Sequence, residues 1–152
     1  MADDFAPIAD LARALLHNLD APHRRTLLRQ IGRYGQSANR ARIGAQQNPD
    51  GSAFAERRAK KPSKKGAIRR KAMFRKLRMA KHLKAGATDN EAWFGFSGPA
   101  ARIARIHQEG LADAPAPGQA KVRYAARILV GLSDENRERV MDMLLEQATR
   151  GI

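Results

Sequence analysis

A histidine followed two residues later by a glutamate, in the stretch "HQEG" at residues 107–110, is the pattern nearest to an acid–base pair in this sequence. A general base needs an orienting partner and a nucleophile or water within reach. Side chains two residues apart on a helix point in different directions, so Glu109 does not orient His107. No serine lies in a nucleophile-elbow pattern that the histidine could activate. We therefore expect His107 to belong to the scaffold rather than to a catalytic site.

Metal and cofactor sites also lack their usual residues. The chain has no cysteine, which excludes disulfides, thiolate nucleophiles and zinc–thiolate sites. It contains neither HExxH nor a calcium-binding DxDxDG loop, and the "GFSG" of residues 95–98 lacks the lysine of a phosphate-binding loop. No apolar run is long enough for a membrane span, and the acidic N-terminus does not resemble a signal peptide. We expect no metal, no cofactor, no membrane and a cytosolic product.

Charge is the most distinctive property of the chain. Its 152 residues carry a formal net charge of +14, and residues 57–81 hold 13 lysines and arginines but no acid. Such a block either contacts a polyanion such as nucleic acid or forms an assembly arm against an acidic partner surface. Composition favours neither. The candidate contact residues are cations of this block and a nearby tryptophan: Arg57, Arg58, Lys60, Lys61, Lys64, Lys65, Arg69, Arg70, Lys71 and Trp93.

The elements that must position these residues follow from periodicity and turn signals. Apolar steps of three and four residues predict helices over 7–19 and from Pro22 to Gln46, followed by the turn "NPDG" and an extended basic segment from 52 to about 71. Later signals predict a hairpin (83–88 and 91–96), a short helix from Pro99 to a stop at Gly110, a strand (122–130) and a last helix capped by Ser133.

This order indicates an α+β fold, with a small antiparallel sheet made of the hairpin plus one or two further strands, packed with helices and carrying the basic arm. We expect one domain over 1–152, divided into a helical pair (7–47), the arm (52–72) and a sheet-and-helix core (73–150). Alternation along the hairpin turns Phe94 and Phe96 towards the core and Trp93 to an edge or a subunit contact. Gly32 and Gly35, inside the second helix, indicate close approach by a neighbour.

Four stretches together resemble a known family: "LLRQIGRYGQSANRARIGAQQNPDGSAFAERR", "MFRKLRMAKHLKA", "FGFSGPAARIARIHQEG" and "RYAARILVGLSDENRERVMDMLLE". In this order and spacing, over about residues 8–148, they are similar to the phage virion morphogenesis family, the tail completion proteins of contractile-tailed, Mu-like and P2-like phages. The resemblance is carried by the set of motifs and not by any one of them.

The resemblance implies a virion structural protein without enzymatic activity. Such proteins complete the head-proximal end of the tail and make it competent to join the head. It further implies a ring in the neck, of six copies, with the tail tube or tail terminator and head-side connector proteins as partners and possible DNA contact in the channel. The expected location is the virion tail, with the host cytoplasm during assembly. The alternative is a nucleic-acid-binding protein without sequence preference that uses residues 57–81.

Overall fold

Four helices and two small antiparallel sheets make up the computed structural model, which describes residues 5–17, 19–58 and 72–150. In chain order the elements are α1 (Ala6–His17), α2 (Ala21–Gly44), β1 (Leu83–Ala87), β2 (Ala92–Phe96), α3 (Pro99–Glu109), β3 (Ala112–Asp113), β4 (Val122–Arg123) and α4 (Asp134–Arg150). The predicted α+β class is confirmed. None of the helices in these described ranges is long and apolar enough to cross a membrane.

Helix α2 begins at its sequence signal and ends before the residue that the sequence predicted. Asp20 is the N-cap, and its carboxylate accepts a hydrogen bond from the backbone N–H of His23 at 3.0 Å. At the other end Gln46 takes a left-handed conformation (φ 59°), and the amides of Gln46 and Gln47 bond back to the carbonyls of Ile43 and Arg42. This is a Schellman cap with glutamine where glycine is usual. The predicted helix end at Gln46 was therefore two residues too late.

The hairpin lies against α2, and two glycines set the distance. Strands β1 and β2 pair with Ala85 opposite Phe94 and Gly86 opposite Trp93. A Cβ atom at Gly32 would lie 2.9 Å from the carbonyl oxygen of Gly86, and one at Gly35 would lie 2.3 Å from the ring of Phe94. Only glycine lets the helix approach the strands so closely, which confirms the prediction made from these two residues.

The two faces of the hairpin differ as predicted. Phe94 contacts α2, and Phe96 packs against the buried cluster around Leu129. Trp93 is 48% exposed on the opposite face, where its ring lies over Gly86. Successive side chains of a strand point to opposite faces, so this assignment follows from the register alone.

The predicted strand over 122–130 was wrong in its extent. Only Val122 and Arg123 pair, with Ala112 and Asp113, and this two-stranded sheet is separate from the hairpin. From residue 124 to the start of α4 the backbone forms no strand ladder. The β-branched and aromatic residues here suit a strand, but a ladder also requires a neighbouring strand to pair with.

Side chains take the place of that neighbour. The amide of Ile128 donates to Asn48 Oδ1, and the amides of Leu129 and Val130 both donate to Gln108 Oε1 at 2.7 and 3.0 Å. The amide of Gly131 donates to Asn39 Oδ1. The carbonyls of residues 128 and 129 accept from Arg42, and the carbonyl of residue 130 accepts from Gln108. Buried backbone groups need partners, and here scattered polar side chains supply them.

Two apolar clusters form the core of the described structure. One joins Ile43, Phe54, Leu77, Ala100, Ala104 and Leu129. The other joins Leu27 of α2 to Val140 and Leu144 of α4, with Ile8 of α1 packed against it. Helix α4 is fixed at its start by a reciprocal cap in which Asn136 N donates to Ser133 Oγ and Ser133 N donates to Asn136 Oδ1. Ser133 is thus the cap that the sequence predicted.

Candidate interaction groove

The predicted contact residues fall into three groups. Arg57 and Arg58 line a groove at the point where the described chain enters the basic segment. Trp93 lies on the outer face of the hairpin and does not line this groove. The other seven lie outside the described residues: Lys60, Lys61, Lys64, Lys65, Arg69, Arg70 and Lys71. The structure therefore brings together two of the ten and adds residues that the sequence pattern did not single out.

The floor of the groove is apolar. The groove has a volume of about 1060 Å³, and its walls come from residues 56–58, 72–77, the exposed side of α3 and the chain around β4. Leu77 and Ala100 connect the floor to the buried cluster below. Ile103 projects from α3 and is 48% exposed, which is unusual for so large an aliphatic side chain. An aliphatic side chain that lines a concave surface offers contact area to a second molecule.

The rim of the groove is cationic. Five exposed cations line it: Arg57, Arg58, Arg75, Lys76 and Arg123. The first four of these residues form no ion pair within the described parts of the chain, whereas Arg102 and Arg105 on α3 are paired with Asp113 and Glu109. Glu56 is the single acid in the lining. The rim therefore carries an excess of uncompensated positive charge.

Arg127 supplies a further positive charge from inside the wall. Its side chain is 3% exposed and donates at 2.8 Å to the carbonyls of both Ala55 and Glu56. No carboxylate accepts from it in the described structure, so the guanidinium is held by neutral acceptors alone. Burial lowers the pKa of Arg127 from its usual value, but an arginine keeps its proton near neutral pH.

His107 is part of this wall and packs against two aromatic rings. Its ring lies edge-to-face between Phe74 and Tyr124, with centroid distances of 4.8 Å to each. Its Nδ1 atom lies 3.4 Å from Nη1 of Arg127. Burial, and then the charge of Arg127, lower the pKa of His107 below its ordinary value, which favours the neutral imidazole. Glu109 binds Arg105 instead of the histidine.

The sequence contained a signal for some residues of this groove but not for Arg123 and Arg127. The density of cations indicated Arg57 and Arg58, and the helix stop at Gly110 placed His107 at the end of α3. Arg123 and Arg127 were missed because they lie in a part of the chain that resembled an ordinary strand. Only the tertiary fold brings them beside residues 55–58.

The lining of the groove holds one carboxylate, that of Glu56, the imidazoles of His82 and His107, and several cations. Within the described structure neither imidazole forms a hydrogen bond to a carboxylate, as a paired acid and base would. Among the described residues no group of three or more His, Asp or Glu side chains could hold a metal ion. A concave apolar floor with a positive rim is a surface for an anionic partner with apolar side chains.

The arrangement is that of a small α+β protein with a basic interaction surface, and the comparison with known families is specific. The profile of the phage virion morphogenesis family matches residues 3–148, so the chain belongs to this family. It is 29% identical over 150 residues to the tail completion protein S of Escherichia phage P2, which covers 97% of this chain and 99% of that protein. No solved structure matches the chain.

Proposed function

We propose that this protein is a structural component of a phage virion that completes the head-proximal end of the tail and enables head–tail joining. The observation that carries the proposal is the end-to-end similarity to a tail completion protein, which leaves almost no part of either chain unmatched. The family to which the chain belongs is defined by virion morphogenesis and thus agrees with a role in tail assembly. The protein would act without catalysis, as a part of the particle.

The proposed assembly is a closed ring of six copies in the neck, between the tail tube or tail terminator and a head-side connector. A ring requires one heterologous interface, used once by each copy, and closes only if the rotation between neighbours closes. The cations of residues 57–81 and of the groove rim would meet acidic surfaces of neighbouring copies or of tail proteins. The protein would be found in the host cytoplasm during assembly and afterwards in the virion tail.

The functional test is a head–tail joining assay with tails assembled without this protein. We expect added wild-type protein to restore infectious particles. Replacement of five cations of the basic segment by alanine, Lys64, Lys65, Arg69, Arg70 and Lys71, should preserve the melting temperature and abolish joining. A matched variant removes five exposed cations elsewhere, Arg29, Arg33, Lys84, Lys121 and Arg150, and should still restore joining. Normal infectivity with the first variant would refute the role of the basic segment.

A second function, binding of nucleic acid by residues 57–81, is favoured by the net charge of +14. Mass measurement of the protein, alone and with tail tubes, separates it from the first. A ring or a tail-bound form supports tail completion. A monomer that shifts duplex DNA in a salt-dependent manner, with no affinity for tails, would support the alternative instead.

A further inference from the structure

We propose that the groove beside Arg127 is a docking site for an acidic peptide segment of a partner protein that carries aliphatic side chains between its carboxylates. The inference rests on the proposed function only for the identity of the partner, which would be a neighbouring component of the tail. The binding chemistry itself follows from the floor and rim of the groove and is open to test on the isolated protein.

The rim selects for negative charge. Arg57, Arg58, Arg75 and Lys76 line the groove and have no acidic partner in the described structure. Buried Arg127 adds a charge that only carbonyl oxygens compensate. Carboxylates that replaced water on this rim would form charge-assisted hydrogen bonds, which are about twice as strong as neutral ones.

The floor selects for aliphatic side chains and against nucleic acid. Ile103, which is 48% exposed, offers aliphatic contact that the phosphates on the surface of a DNA duplex would not cover. Single-stranded nucleic acid binds basic grooves by stacking its bases on open aromatic faces. Here the ring of His107 packs edge-to-face against both Phe74 and Tyr124, so these aromatic rings contact one another. A peptide fits both floor and rim.

The position of the groove adds continuity with the rest of the basic block. Arg58 and Ala72, the described residues on either side of the segment 59–71, both line the groove. An acidic peptide docked here would therefore lie beside both of these residues.

The test uses fluorescence anisotropy with the full chain and a labelled synthetic peptide that repeats Glu-Asp-Leu. A Glu-Asp-Gly peptide keeps the charge without the aliphatic groups, and a Lys-Lys-Leu peptide reverses the charge. A DNA duplex and a single strand of similar length complete the set. We expect the Glu-Asp-Leu peptide to bind at physiological salt, the Glu-Asp-Gly peptide about tenfold more weakly, and the Lys-Lys-Leu peptide not at all.

Variants locate the binding. The pair Arg57→Glu and Arg58→Glu should weaken the Glu-Asp-Leu peptide at least about tenfold, and so should Ile103→Asp, a change at a half-exposed position. The pair Arg29→Glu and Arg33→Glu makes the same change of net charge on the exposed surface of α2 and should weaken binding less than about threefold, since screening limits distant charges.

Three outcomes would overturn the inference. Equal binding of the Glu-Asp-Leu and Glu-Asp-Gly peptides would mean that the floor takes no part. Equal losses for the groove pair and the α2 pair would mean that total charge, and not the groove, binds the peptide. Tighter binding of either DNA than of the peptide, lost in the groove variants, would make the groove a nucleic-acid site. Peptide binding by a protein that is inactive in the joining assay would refute only the proposed function.

Discussion

Substitution of Gly35 by alanine tests the contact between α2 and the hairpin. In a helix interior alanine is favoured over glycine by about 1 kcal/mol, so the change should stabilise the protein if this face of α2 were open. The structure predicts the opposite. A Cβ atom at position 35 would lie 2.3 Å from Cδ1 and Cε1 of Phe94, more than about 1 Å inside the favourable separation of two carbon atoms.

The expected size follows from two opposing effects. Relief of such an overlap forces a ring off its rotamer or moves the hairpin backbone, at a cost of about 1–3 kcal/mol. The helix gains about 1 kcal/mol in propensity. Phe94 is held between helix and strand, so the upper part of the range applies and a net loss of about 1–2 kcal/mol remains. For a chain of this size each kcal/mol lowers the melting temperature by about 2–4 °C, which gives a decrease of about 2–8 °C.

The assay is thermal unfolding followed by circular dichroism, with Gly44→Ala as the matched control in the same helix. A Cβ atom at position 44 meets only the end of the flexible Arg78 side chain, so this variant should melt at or above the wild-type temperature. Gly35→Ala combined with Phe94→Leu should show a coupling of about 1 kcal/mol, because the smaller side chain removes the overlap. If Gly35→Ala raised the melting temperature as Gly44→Ala does, the close helix–hairpin contact would be refuted.

Two further predictions concern the buried polar groups. Asn39→Ala leaves the amide of Gly131 and a guanidinium N–H of Arg42 without their Asn39 acceptor. We therefore expect the free energy of unfolding measured in urea to fall by about 2–4 kcal/mol, against less than about 0.5 kcal/mol for the exposed control Asn90→Ala. Similar small losses in both variants would contradict these buried hydrogen bonds. The folded-state pKa of His107 is lowered, so the unfolded chain binds more protons below about pH 6.5, and stability should fall as pH decreases through that range. His107→Gln should flatten this part of the pH profile, and an unchanged slope between pH 7 and 5 would show that the histidine does not titrate as described.

Much of the fold could be predicted because its signals are local. Asp20 caps α2, Gly110 takes a left-handed conformation (φ 63°) at the end of α3, and Ser133 caps α4. Gly51 adopts a positive φ of 85° in the predicted "NPDG" turn. Each of these signals acts within a few residues of itself, so the sequence around it contains the whole physical cause.

The segment after β4 could not be predicted for the converse reason. Its residue types suit a strand, yet the backbone of residues 128–131 is bonded by the side chains of Asn39, Arg42, Asn48 and Gln108, which are separated from it by between about 20 and 90 positions along the chain. Polar side chains in helices and turns usually face water. Nothing in their local sequence indicates that these four converge on one backbone segment. Only the tertiary fold, in which Ile43 of α2 and Ala104 of α3 share one buried cluster with Leu129, brings them there.

The groove shows how this convergence leads to a binding surface. Arg127 belongs to the segment after β4, and its guanidinium donates hydrogen bonds to the carbonyls of Ala55 and Glu56, immediately before Arg57 and Arg58. The rim cations are thereby attached to the core without any acid that would neutralise them. If Arg127 were instead bound to a carboxylate, it would hold this backbone less directly, and the carboxylate would cancel its charge. Since carbonyl oxygens satisfy its hydrogen bonds without supplying a negative charge, the wall keeps its positive potential, and an acidic partner can supply the missing charge.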